Sequence, residues 1–134
     1  MNMIRNFVLS LSAVLLLTTG CNAQSTNKGF ENRTSDQVVA IEKEPNVVLI
    51  DVRTPGEVKS GYLVGTDLFF DIGSSDFRQK VLDLDRTKTY VLICASGARS
   101  SSAAQFMLDN GFEKVINMTG GMRTVRNNNH IVRP

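Results

Sequence analysis

The run Val91-Leu92-Ile93-Cys94-Ala95-Ser96-Gly97-Ala98-Arg99-Ser100 ends an apolar stretch in a thiol, follows it with four small residues and then supplies a cation. A thiolate is a strong nucleophile, and its environment decides whether it exists at neutral pH. Gly97 allows backbone angles that other residues resist, so the chain can curl back at once. Ala95, Ser96 and Ala98 keep side chains out of the way. Successive backbone N–H groups of residues 95–99 can then point inward as an anion-binding nest, and a following helix aims its positive end at the same spot. A thiol that ordinarily titrates near ~8.5 falls by several units in such surroundings. Cys94 is therefore the candidate catalytic residue, and Ala95, Ser96, Gly97, Ala98 and Arg99 form the candidate substrate-binding loop. Arg99 either binds an anionic substrate or locks the loop.

Other chemistries lack their residues. The one histidine, His130, is far from Cys94 in sequence and reads as a solvated tail residue. No Cys/His cluster suits zinc, and neither GxxxxGK[ST] nor GxGxxG is present, so no metal and no cofactor is expected. The net charge of +2 comes without a basic block, which argues against a nucleic-acid partner.

The N-terminal two dozen residues have a different character. Arg5 is followed by an apolar run, Phe7 to Leu17, broken only by Ser10 and Ser12, and then by Thr18-Thr19-Gly20-Cys21. A short positive head, an apolar run and small residues describe a signal peptide over residues 1–23. The run is shorter than the ~20 residues of a membrane span. Cys21 resembles the lipidated cysteine of bacterial lipoproteins, which would anchor the protein to a membrane surface. Ordinary cleavage after Ala23 is the alternative. Either route implies export to the periplasm or cell envelope and leaves Cys94 as the free thiol of the mature chain. Residues 24–33 (QSTNKGFENR) read as a linker, and residues 34–134 as one domain.

The elements that must position Cys94 follow from the pattern. Thr34-Ser35-Asp36 caps a helix that Pro45 stops. Val47–Ile50, 67–72, Tyr90–Ile93 and Val115–Met118 read as strands. Pro55–Lys59, Phe77–Leu84 and Ser100–Asn110 read as helices, the last with Gly111 at a left-handed cap. Gly120-Gly121 makes a turn, with a short helix from Met122. Solidly apolar strands alternating with helices predict an α/β domain with a mainly parallel central sheet and helices on both faces. Cys94 then lies at the carboxyl end of a strand, where such sheets bind ligands.

These residues resemble the rhodanese family. Asp51-Val52-Arg53-Thr54-Pro55 with Glu57 is similar to its DVR-T-P-x-E signature, and Gly61-Tyr62-Leu63-Val64-Gly65 to its Gly-His-Ile-Pro-Gly element. Cys94 to Ser100 is similar to its Cys-x-x-Gly-x-Arg-Ser loop, and Gly111-Phe112, Val115 and Gly120-Gly121 to its closing motif. The resemblance spans about residues 34 to 126. It implies a rhodanese-like domain and a sulfurtransferase of the thiosulfate:cyanide type. Cys94 would take sulfane sulfur from a small sulfur-containing anion such as thiosulfate and carry it as a persulfide to cyanide, a thiol or a protein acceptor. The alternative is a partner-fed sulfur relay or binding module with little small-donor turnover. Phosphatases and arsenate reductases of similar fold place five residues between Cys and Arg. Here four separate Cys94 from Arg99, a loop sized for sulfur.

Departures from the family pattern are Tyr62 for His and Val64 for Pro, which predict changed packing or substrate access; Ala95 where thiosulfate-using members often carry a basic residue, which counts against thiosulfate as donor; and Val125 near a usual Trp, which with the short polar tail Asn127-Asn128-Asn129 predicts a more open site than in longer relatives. Asp51, Arg53 and Ser100 are possible supporting residues. Asp51 either hydrogen-bonds the loop or forms a turn, and Arg53 is expected to pair with a carboxylate. Phe69, Phe70 and Phe77 are expected in the core, and Met118 and Met122 as apolar filler.

Overall fold

Three apolar runs form the centre of one parallel sheet. The computed structural model describes residues 29–134; the predicted signal peptide, Cys21 and the first half of the predicted linker, residues 24–28, lie outside them. The elements are β1 (Glu31–Arg33), α1 (Ser35–Ile41), β2 (Val47–Asp51), α2 (Pro55–Lys59), β3 (Tyr62–Leu63), β4 (Thr66–Phe69), α3 (Phe77–Leu82), β5 (Thr89–Ile93), α4 (Ala98–Asp109), β6 (Lys114–Met118) and β7 (Ile131–Val132). The five-stranded sheet has the order β1-β6-β5-β2-β4, with every pairing parallel. Val91, at its middle, pairs with Leu49 on one side and Ile116 on the other.

The period of two along β5 divides the core. Tyr90, Leu92 and Cys94 pack with Ile50, Phe77, Val81, Ala103, Ala104 and Met107, the buried residues of α3 and α4 among them. Val91 and Ile93 face the other way, onto Val38 of α1, Leu49, Leu63, Ile116 and Met118. Both faces are covered, so these strands are continuously apolar rather than alternating. The α/β class, the parallel sheet and the helices on both faces agree with the sequence reading.

Local chemistry sets the helix ends. Thr34 with Gln37, and Thr54 with Glu57, form capping boxes at the starts of α1 and α2, and Pro55 opens α2. Gly111, at φ 85°, takes the left-handed turn that ends α4.

Several boundaries differ from expectation. Residues 31–33, read as linker, form β1, which pairs with Ile116–Met118. Three polar residues carry no apolar signal, because an edge strand contributes backbone hydrogen bonds and leaves its side chains near water. The predicted strand 67–72 is β4, which begins at Thr66; Phe70 and Ile72 N–H still bond the Asp51 and Val52 carbonyls. The β2–β4 register shifts between Leu49 and Ile50, where the Asp67 carboxylate accepts the Leu49 N–H at 2.8 Å. α4 starts two residues earlier than predicted. The tail forms an unanticipated two-stranded antiparallel sheet, β7 on β3. Phe69, expected in the core, is 42% exposed and meets Tyr62 edge-on at 4.9 Å; it ends β4, the edge strand of the sheet.

Candidate active site

Cys94 follows β5 directly, and its backbone is held from several sides. The Val52 N–H bonds the Ile93 carbonyl at 2.8 Å, the Met122 N–H bonds the Cys94 carbonyl at 2.8 Å, and the Arg123 N–H bonds the Ala95 carbonyl at 3.1 Å. The last two come from the turn after β6. That turn approaches so closely that a Cβ on Gly121 would overlap the Cys94 carbonyl and stand 2.6 Å from the carbonyl carbon of Ala95. Gly97, at φ 96°, caps α4 and starts the helix immediately after the loop.

The result is a cradle around sulfur. The Gly97 N–H points at Cys94 Sγ at 3.0 Å, and Ser100 Oγ, from the first turn of α4, lies 3.3 Å away. Burial pushes the thiol up, but the Ser100 hydroxyl and the backbone N–H groups of Ser100, Ser96 and Gly97 outweigh it. The net effect holds Cys94 below the ordinary thiol range. Of the predicted loop, Ser96 and Ala98 are exposed, Gly97 is buried, and Ala95 and Arg99 are half-buried.

Arg99 does not point at the sulfur to wait for a substrate. Its guanidinium forks onto Glu57 of α2, with Nη1 to Oε2 at 2.8 Å and Nη2 to Oε1 at 2.6 Å. Of the two roles left open for Arg99, this contact serves the lock. The Arg99 hydrogen bonds hold the Glu57 carboxyl down to about 2, against the upward push of desolvation. The same oxygen, Oε2, accepts from the Thr54 N–H and hydroxyl, so one carboxylate caps α2 and ties it to the loop.

Asp51 is wholly buried and belongs to Arg53 rather than to the loop. It accepts the Arg53 N–H at 3.0 Å, a turn-forming bond, and the guanidinium at 3.0 Å and 2.6 Å. Arg53 also donates to the Gly61 carbonyl at 2.9 Å. The pair fixes the corner between β2 and β3. The ring of His130 meets Asn127, and its carbonyl accepts the Val64 N–H at 2.8 Å.

Cys94 has no exposed surface. Val125 and the short tail do not uncover it, because the Gly120-Gly121 turn sits directly on the loop.

Three residues of this site were not singled out from sequence. Glu57 was quoted only within the motif, and its capping role hid its second partner. Asn117, on β6, accepts from Ser100 Oγ at 2.7 Å and donates to Asn32 Oδ1 at 3.0 Å. The lone polar residue inside the Val115–Met118 run was a signal for it; nothing marked Asn32.

Among known proteins, the Rhodanese-like domain family matches residues 34–128. The Bacillus subtilis (strain 168) protein named "Putative sulfurtransferase YtwF" is 38% identical over 82 residues, 61% of this chain and 76% of that protein. A "tRNA uridine(34) hydroxylase" of Pectobacterium carotovorum subsp. carotovorum (strain PC1) is 31% identical over 94 residues, covering 66% of this chain; the chain spans only 26% of that enzyme. The crystal structure of a rhodanese-like domain protein from Staphylococcus aureus superposes with a TM-score of 0.60 at 26% identity, over 71% of this chain and 90% of that one.

Proposed function

This chain belongs to the rhodanese-like domain family, a sulfur-transfer family, and on that premise we propose that Cys94 carries sulfane sulfur as a persulfide from an anionic donor such as thiosulfate to a thiophilic acceptor. The observation that supports this most directly is the convergence of the Gly97 N–H and the Ser100 hydroxyl on Sγ. Those donors favour the thiolate, and a sulfur-sized anion at that position profits from the same nest and from the start of α4.

The Cys94 thiolate attacks the outer sulfur of thiosulfate. A new S–S bond forms, the old one breaks, and sulfite leaves with the electron pair. The product, Cys94–S–S⁻, keeps one negative charge on its terminal sulfur. Cyanide or a thiolate then attacks that sulfur and takes it away as thiocyanate or a persulfide, returning the Cys94 thiolate. No proton or electron is needed from outside. Because Sγ has no exposed surface, the donor enters as the loop opens, and the Glu57–Arg99 pair is the tie that must loosen.

A second reading has its own support. Ala95 supplies no charge, and Arg99 is already engaged by Glu57. A small dianion must therefore compete with a carboxylate, whereas a protein-borne sulfur need not. On this reading the domain is a partner-fed relay.

We further propose that residues 1–23 direct export, that Cys21 carries a lipid anchor at the cell envelope, and that the domain begins with β1. A mature chain found by mass to begin at Gln24 would refute the anchor. The test of the main reading is peptide mass after thiosulfate treatment of the full chain, followed by cyanide and a thiocyanate assay. One added sulfur on Cys94, discharged as thiocyanate and missing in Cys94→Ser, is the expected result. No adduct from thiosulfate, with an adduct from a persulfidated protein thiol, would favour the relay. An adduct from neither would overturn both.

A further inference from the structure

Ser100 has one hydroxyl proton and two acceptors. Asn117 Oδ1 lies 2.7 Å from its oxygen and Cys94 Sγ 3.3 Å. A hydroxyl donates once and offers its lone pairs elsewhere. With the proton on Asn117, the sulfur faces lone pairs, which suits a thiol. With the proton on sulfur, it faces a donor, which suits an anion. What decides between them is the far side of the Asn117 amide.

That amide is buried, at 5% exposure, and belongs to a chain. Its Nδ2 donates to Oδ1 of Asn32, its direct partner across the β1–β6 pairing, at 3.0 Å. Asn32 lies on the edge strand and is exposed, so its own amide can turn in water at little cost. If Asn32 presents its NH2 group, Asn117 can present its carbonyl outward and its Nδ2 inward. Ser100 then accepts from Asn117 and gives its proton to the sulfur. Each state satisfies every buried polar group.

We propose that Asn117 is a positioning residue: through the direction of its amide, set with Asn32, it assigns the Ser100 proton either to itself or to the sulfur of Cys94. The inference rests on the reading of Cys94 as the nucleophile, but not on any particular sulfur donor.

The test is the pH dependence of Cys94 alkylation by iodoacetamide in the full chain, read by peptide mass at Cys94 so that Cys21 does not contribute. Asn117→Leu removes the competing acceptor and leaves the Ser100 proton to the sulfur; the inflection should fall by about one pH unit, a tenfold gain in thiolate, as expected for a hydrogen bond to a charged group. Asn117→Asp accepts only, retains the Ser100 proton, and should raise the inflection. In a Ser100→Ala background Asn117→Leu should shift nothing, and Ser100→Thr should restore the response. The charged groups around the site, Arg99 on α4, Glu57 on α2 and the Asp51–Arg53 pair after β2, are the same in all these variants.

Should the buried variants misfold, the exposed partner carries the same test. Asn32→Asp should raise the inflection and Asn32→Lys lower it, each a few-fold in thiolate. Both effects should persist in 0.5 M salt, where the Debye length is only a few ångströms and surface charge alone is screened. Shifts of the same sign for Leu and Asp at 117, an undiminished Asn117→Leu effect without the Ser100 hydroxyl, or Asn32 effects that vanish in salt would overturn the proposal. Failure of thiosulfate to load Cys94 would leave these inflections unaffected.

Discussion

Replacing Glu57 by Gln isolates the charge that ties α2 to the Cys94 loop. Gln keeps a carbonyl oxygen for the Thr54 N–H, so the cap survives in part, while the charge facing Arg99 disappears. At face value, a carboxyl lowered from its ordinary 4.5 to about 2 corresponds to about 3.4 kcal/mol. The two side chains are 36% and 34% exposed, however, and pairs open to water are strongly screened; about 1 kcal/mol is the reasonable expectation. The sign follows from linkage. Glu57 is the more acidic in the folded state, so its contribution is complete above pH 4.5 and is lost as the pH falls toward about 2. Urea unfolding of the wild type and Glu57→Gln should therefore differ by about 1 kcal/mol at pH 7, equivalent to about 4–8 °C in Tm for a domain of this size. The difference should shrink below pH 4.5 and be mostly lost by about pH 2. A double-mutant cycle with Arg99→Met should return a coupling of about the same 1 kcal/mol. A difference equally large at pH 2.5 would mean that capping or packing, not the ion pair, was lost. A coupling above about 3 kcal/mol would refute the argument from screening.

Three other substitutions probe the frame of the site. Gly121→Ala adds a Cβ against the Cys94 and Ala95 backbones at a φ of 58°; it should cost about 1–3 kcal/mol and slow sulfur loading of Cys94. Gly56→Ala meets nothing within 4 Å and should stabilise the protein by about 0.5–1 kcal/mol through helix α2, a contrast that thermal melts would read directly. Arg53→Met strands the wholly buried Asp51 carboxylate; chemical denaturation should show a loss of about 3–5 kcal/mol, and a loss under 1 kcal/mol would mean that water reaches the corner between β2 and β3.

The parts of this protein that speak through sequence are those whose side chains make the structure. Strands buried on both faces must be apolar, so Val47–Ile50, Tyr90–Ile93 and Val115–Met118 were visible as strands. A loop that must turn sharply around sulfur needs Gly97 and small neighbours, so Cys94 and its cradle were visible as well. What was hidden is made by the backbone or by long reach. β1 is defined by hydrogen bonds to β6, which any three residues could make. Glu57 and Arg99 are 42 residues apart, and Asn117 and Asn32 are 85 apart; no local spacing encodes either contact. The covering of Cys94 likewise depends on how the Gly120-Gly121 turn is laid down, which only the packing reveals.

The two borders of the sheet bear on solubility. A bare strand edge invites another chain to add to it, and long, flat, apolar edges are the dangerous ones. Here β1 offers only three residues, Glu31, Asn32 and Arg33, too little to template a partner. On the opposite border β4 is only four residues long, Thr66–Phe69, and the register shift in its pairing with β2, where Asp67 takes the Leu49 N–H, keeps that short edge irregular. The sheet therefore terminates itself on both sides, and a domain with five parallel strands should resist edge-to-edge aggregation even when concentrated.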